Sequence, residues 1–189
     1  MPLYFIFFLA MLGASVLLFV GALLRAAFAR GKPPPRLLGA AAADIVQALG
    51  LALLWINFGV GWLLYFNVYQ IHVDMGAIGN EAFQAFTRGY TRRLPIVVLP
   101  FGAACLAWAL SLWGEPGRYS RRALWAITAL CLLSIASTPW AAGAQGDMQE
   151  QGFTQAAYEQ LQAAHLVRSL AISAAAVWAL VKGWRRAGS

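Results

Sequence analysis

Five apolar stretches, each about long enough to cross a bilayer and separated by short charged loops, occupy most of this 189-residue chain. An α-helix rises about 1.5 Å per residue, so around 20 apolar residues cover a hydrocarbon core of about 30 Å. Residues 3–24, 45–71, 94–114 and 123–146 meet that requirement without a charge. The fifth stretch keeps only thirteen uncharged residues, 169–181, between Arg168 and Lys182. It crosses if those two side chains snorkel or if Arg168 is paired inside the bundle. It continues back through His165 and Leu166 and ends at Trp184. The chain is 61% hydrophobic and 11% charged, against roughly 25% charged in soluble domains. A soluble globule is excluded, and the expected fold is an all-α integral membrane bundle of five transmembrane helices.

The flank before the first stretch carries no Lys or Arg, and the apolar run exceeds the about 7–15 residues of a secretory h-region. It is therefore expected to stay in the mature protein. Its basic flank follows it, at Arg25, Arg30, Lys32 and Arg36, which puts that loop in the cytoplasm and the N-terminus outside. Threading the other spans leaves Arg118, Arg121, Arg122, Lys182, Arg185 and Arg186 inside as well, and Arg88, Arg92, Arg93 and Arg168 outside. Ten basic residues against four give an N-out, C-in, multi-pass protein of the cell inner membrane. Because these residues lie beside the membrane, the net charge of +7 reads as topology and contact with the lipid bilayer, with no nucleic acid as partner.

Along the chain, residues 1–30 form the first helix, 31–36 a stiff cytoplasmic linker with three consecutive prolines, and 37–189 a four-helix bundle. The outer loop 74–93 carries Phe83, Phe86 and Tyr90, as an interfacial helix or an amphipathic start to the third span does. The Gly- and Gln-rich segment 145–154 is expected to be a second outer loop, with a helix starting near Thr154. Pro95 can open a helix, whereas Pro100 and Pro139 should bend theirs and widen the outer half of the bundle. Cys105 and Cys131 lie within spans as small hydrophobes, and no metal or cofactor motif occurs.

Polar residues in hydrocarbon are the default functional candidates, since each must be satisfied there. At helical spacing Asn57, Gly61, Tyr65, Val68 and His72 share one stripe, with Asp44, Leu51, Trp55, Trp62 and Tyr69 on much the opposite side. Tyr158, Leu161, His165, Arg168 and Ile172 line one face of the fifth span, and Thr128, Cys131, Ile135 and Thr138 one face of the fourth. The candidate site is an outer pocket in which His165 acts as base and Arg168 holds an anion, with His72, Tyr65, Tyr69, Asn57 and Thr138 contacting the ligand. A plainer reading places both histidines in the headgroup zone and pairs Arg168 with Asp74, Glu81 or Glu159. Asp44 is expected to pair with Arg36 or Arg25. A metal site from His72, Asp74, His165 and Glu159 lacks a ligand motif.

Four motifs follow one another from about Tyr65 onward: VYQIHVD at 68–74, EAFQAFTRGYTRRLPIVVLP at 81–100, SIASTPW at 134–140 and HLVRS at 165–169. In that order they resemble the anthrone-oxygenase-like superfamily of small four-helix membrane proteins. His72, Ser137, Thr138 and Arg168 carry over by position. The chain departs from the family where Pro-Leu-His often follows the Ser-Thr of the fourth span, where Asn-Trp often opens the last, and at Ala175, where an Arg is usual. The resemblance implies activation of a phenolic substrate toward oxygen without an obvious metal. Two classes of function follow: a bundle binding a hydrophobic, phenolic or quinone-like small molecule, or an accessory subunit of a larger membrane complex or homo-oligomer. In the second, small-residue runs at 39–43, 103–107 and 171–176 would serve the partner.

Overall fold

The computed structural model describes residues 3–29, 36–115 and 117–187, which are helical apart from short turns and an isolated bridge between Leu38 and Gly114. The helices are α1 (Leu3–Phe28), α2 (Ala40–Leu63), α3 (Tyr69–Ile78), α4 (Asn80–Arg93), α5 (Pro95–Ser111), α6 (Arg121–Ala136), α7 (Thr138–Gln151) and α8 (Gln155–Ala187). A π-helical turn, Leu64–Val68, joins α2 to α3 without a break in the chain direction. Four helical runs are long and apolar enough to cross a membrane: Leu3–Phe28, Ala40–Ile78, Arg121–Gln151 and Gln155–Gly183. The apolar part of α5, Val97–Ser111, is shorter. Arg30, Lys32 and the prolines of the expected linker lie outside the described residues, as do the side chains of Trp184, Arg185 and Arg186.

α5 is the central post, packed on α1 and α2, while α8 packs on α2, α6 and α7. α1 is fastened to this post by the Trp113 indole, which donates to Leu18 O at 2.9 Å, and by contact of the Phe8 and Phe101 rings. Two cores stack along the bundle. One joins α1, α2, α5, α6 and the C-terminal half of α8 around Trp108, Cys105, Leu124 and Ile127. Ala104, Ala175, Ala176 and Ala179 are fully buried in it, so the small residues of α5 and α8 let each of these helices pack closely on α2 and α6. Of the run 39–43 only Ala43 is buried.

The other core joins α3, α4, α7 and the start of α8 around Tyr69, Phe83, Met148 and Leu161. Residues 145–151, expected as a loop, are instead the end of α7, because Ala144 and Met148 bury one face of it. Gly152, at φ 88°, turns the chain there, and the Thr154 hydroxyl caps α8 by accepting from Ala157 N. α4 is a separate amphipathic helix, with Phe83 wholly buried and its charged residues exposed. The expected partners of Asp44 are engaged elsewhere: Arg36 pairs with Glu115 at 2.6 Å, and Arg25 lies over the Trp113 ring.

Three chain breaks fall between the two cores. At Ser137, Pro139 has no N–H for the Ile135 carbonyl, and the hydroxyls of Ser134 and Ser137 take the carbonyls of Cys131 and Ser134. Pro95 likewise cannot continue the ladder of α4, so the chain turns at Leu94 and α5 begins. At Leu64–Val68 the Tyr69 amide bonds Leu64 O, one residue further back than in an α-helix. Pro100 lies within α5, which continues on both sides of it. Only α8 passes the level of the breaks as regular helix.

Candidate functional site

Where the three interrupted elements part, they leave a cavity of about 270 Å³ lined by residues from α1, α2, α3, α4, α5, α7 and α8. Both cores contribute walls: Phe8, Phe101 and Ile172 from one, and Leu64, Tyr69 and Ala141 from the other. Thr138 and Pro139 come from one break, Leu94 from the second, and Leu64 and Tyr69 from the third. The uninterrupted α8 supplies His165, Arg168, Ser169 and Ile172.

The π-turn corrects the expected stripes. One extra residue per turn rotates everything after it by about 100° relative to a regular helix. Tyr69, expected opposite Asn57, therefore lines the cavity beside Asn57 and Gly61. Tyr65, expected in the pocket, is not among the lining residues; its carbonyl instead accepts from the Gln162 amide at 3.5 Å. His72 also stands back from the cavity. It is buried, with Nδ1 at 3.3 Å from Val68 O, and its ring meets Tyr69, Phe86 and Tyr90 edge-on. It wedges the aromatic layer behind Tyr69.

His165 is held at both nitrogens. Nε2 lies 3.0 Å from Gly61 O and Nδ1 lies 3.2 Å from Tyr69 Oη. A carbonyl only accepts, so Nε2 carries a proton, and in the neutral ring Nδ1 accepts from the Tyr69 hydroxyl. The imidazole is thus fixed in orientation and tautomer, and a proton reaching Nδ1 comes through Tyr69. Gly61 permits this contact, because a Cβ there would lie 3.1 Å from Ser169 Oγ.

Among the described residues Arg168 has no acidic partner, contrary to the pairing with Asp74, Glu81 or Glu159 expected in the plainer reading. Its Nη2 donates to Thr138 Oγ1 at 3.3 Å and its guanidinium carbon stands 5.3 Å over the Phe101 ring, while Nε is buried without a partner. A buried guanidinium answered by one hydroxyl and one ring retains the capacity to bind an anionic or strongly accepting oxygen. Asn57 donates its amide to Leu53 O at 2.7 Å, which leaves its side-chain carbonyl for the cavity. Two further hydroxyls belong to the wall: Ser169 Oγ, buried with no hydrogen-bond partner, and Tyr90 Oη, which lies buried beside Tyr69. Burial, then the neighbouring Tyr69, pushes the Tyr90 phenol well above its usual pKa, so it remains an O–H donor.

The structure thus brings His165, Arg168, Tyr69, Asn57 and Thr138 to one cavity and leaves Tyr65 and His72 off its wall. Sequence reasoning missed Phe101, Tyr90 and Ser169 as lining residues. Tyr90 stands among the aromatics of 83–90 and Ser169 follows Arg168 directly, but only the fold turns them inward. Among the described residues no three His, Cys, Asp or Glu side chains converge as a metal site would require. Comparison with known protein families, with curated proteins and with solved structures finds no match.

Proposed function

We propose that this chain is a five-span, N-out, C-in protein of the cell inner membrane whose cavity binds a hydrophobic phenolic or quinone-like molecule, its oxygen on Arg168. One observation carries the reading: a guanidinium without an acidic partner, turned into a cavity otherwise walled largely by Phe, Leu, Val, Ile and Ala. An apolar body with a single accepting or ionisable oxygen complements those walls. A ligand hydroxyl there can donate to Tyr69 Oη while the Tyr69 O–H donates to His165 Nδ1. The oxygen that loses its proton along this line is stabilised by Arg168. In the five-span topology α5 is the third crossing, despite its length, and α4 lies at the outer interface. The resemblance to the anthrone-oxygenase-like superfamily belongs to this proposal, since it implies a phenolic substrate activated without a metal.

The test is a fluorescence titration of the protein in nanodiscs with a naphthol and with its methyl ether. The naphthol should bind at least about tenfold more tightly, the value of one hydrogen bond to a charged group of about 1.5–3 kcal/mol. The Arg168→Ala variant should remove that preference while the ether still binds. Equal affinities in the unaltered protein would refute the reading.

A further inference from the structure

The way into the cavity is marked by the lining residues that reach the surface. Four of them do: Phe5 and Leu9 on α1, and Pro139 and Ala142 on α7. All four are apolar, and all the other lining residues are buried or half-buried. α1 is anchored mainly on α5, and α7 mainly on α8, so these two helices form the rims of one lateral opening. Toward the end of the bundle the cavity is covered by Tyr90 of α4, Leu94 and Gln145. Phe5 and Leu9 lie within the first two turns of an apolar α1, in the stretch that contacts hydrocarbon when the helix spans.

Resting on the ligand-binding reading above, we infer that the cavity is loaded from the bilayer through the gap between α1 and α7. Its ligand is then a membrane-dissolved amphiphile, not a solute of the aqueous phase. The headgroup enters first, between Leu9 and Ala142, and its oxygen reaches Arg168. At about 270 Å³ the cavity lies at the small end of ligand sites, so it holds a ring headgroup while any alkyl chain projects back through the mouth into lipid.

Two experiments on the full chain in proteoliposomes test this separately from binding itself. In the first, Ala142→Cys is exposed to a lipid-dissolved alkyl maleimide and to a charged, water-soluble thiosulfonate, with the unaltered protein, whose Cys105 and Cys131 are buried, as background. The maleimide should label and the thiosulfonate should not; rapid labelling by the charged reagent overturns the lateral route. In the second, Ala142→Trp narrows the mouth without touching Arg168, and uptake of 4-nonylphenol is followed by stopped flow. Association should slow by about tenfold or more, a change within the range by which on-rates vary among variants of one site. Unchanged association in a variant that binds overturns the route. No uptake by the unaltered protein would refute the ligand-binding reading and the loading claim with it, while the labelling still reports which phase the mouth faces.

Discussion

The two halves of the bundle solve the same packing problem in opposite ways. Around Trp108, five helices pack closely with alanines buried among them, and buried hydroxyls are spent on backbone: Thr128 donates to Trp108 O and Leu124 O, and Ser111 to Ala107 O. Around Tyr69, the helices are interrupted, and polar side chains reach across to other elements: His165 to Gly61 O, Gln162 to Tyr65 O, Arg168 to Thr138. Closed packing follows where every helix stays regular. A cavity follows where three elements are interrupted at one level, beside the unbroken helices α1 and α8. The difference teaches that the interruptions are what create the site, since a π-turn and two prolines each turn part of a helix aside while leaving carbonyls for side-chain donors.

Substitutions on either side of the seam should separate these halves. The largest effect belongs to Trp108→Ala, which empties the fully buried centre of the closed core and should cost about 3–5 kcal/mol. Val97→Ala, on the cavity wall, should cost far less, since one side of that residue already faces space. Thermal unfolding in detergent compares them, and equal costs would mean that the two halves are packed alike.

Removal of Phe66, which is 67% exposed within the π-turn, should restore a regular helix. Tyr69, then only eleven residues after Asn57, keeps its place within about 20° of that face. Phenol binding should therefore persist within about tenfold of the unaltered protein. The melting of the Trp108 core should be unchanged, and loss of phenol binding would break the link between the extra residue of the π-turn and the placement of Tyr69.

Tyr69→Phe leaves His165 Nδ1 buried without its donor and should destabilise by about 1–3 kcal/mol. The double variant with His165→Phe should recover part of that loss, whereas additive losses would show that the two residues do not interact. Thr138→Val removes only a 3.3 Å contact to Arg168. It should alter stability by less than about 1 kcal/mol and leave ligand binding in place, as the loss of one long hydrogen bond permits.

The helices were readable in the sequence because hydrocarbon demands long uncharged runs, and 3–24, 45–71 and 123–146 fall within helical runs of the structure. Arg168, Thr138 and His165 were also readable, since each is a polar group in an apolar stretch. Tyr69 was assigned to the site but placed on the wrong face. A 3.6-residue period carried through 64–68 turns it away from Asn57, and no residue type in Leu-Tyr-Phe-Asn-Val announces a π-turn. Tyr65 was drawn into the site by the same uniform period. His72 looked like a ligand group, yet its role is to wedge Phe86, Tyr90 and Tyr69, which depends on how α4 folds back. The end of α7 was hidden because Gly143, Gly146 and the glutamines resemble a loop, while tertiary burial of Ala144 and Met148 decides for helix.

Native mass spectrometry of the chain extracted from its own membranes in mild detergent tests the central claim most directly. A reproducible small-molecule adduct on the 20.4 kDa chain, lost from Arg168→Ala but kept in Thr138→Val, is the predicted result. A bare chain, or the same adduct on Arg168→Ala, would contradict it.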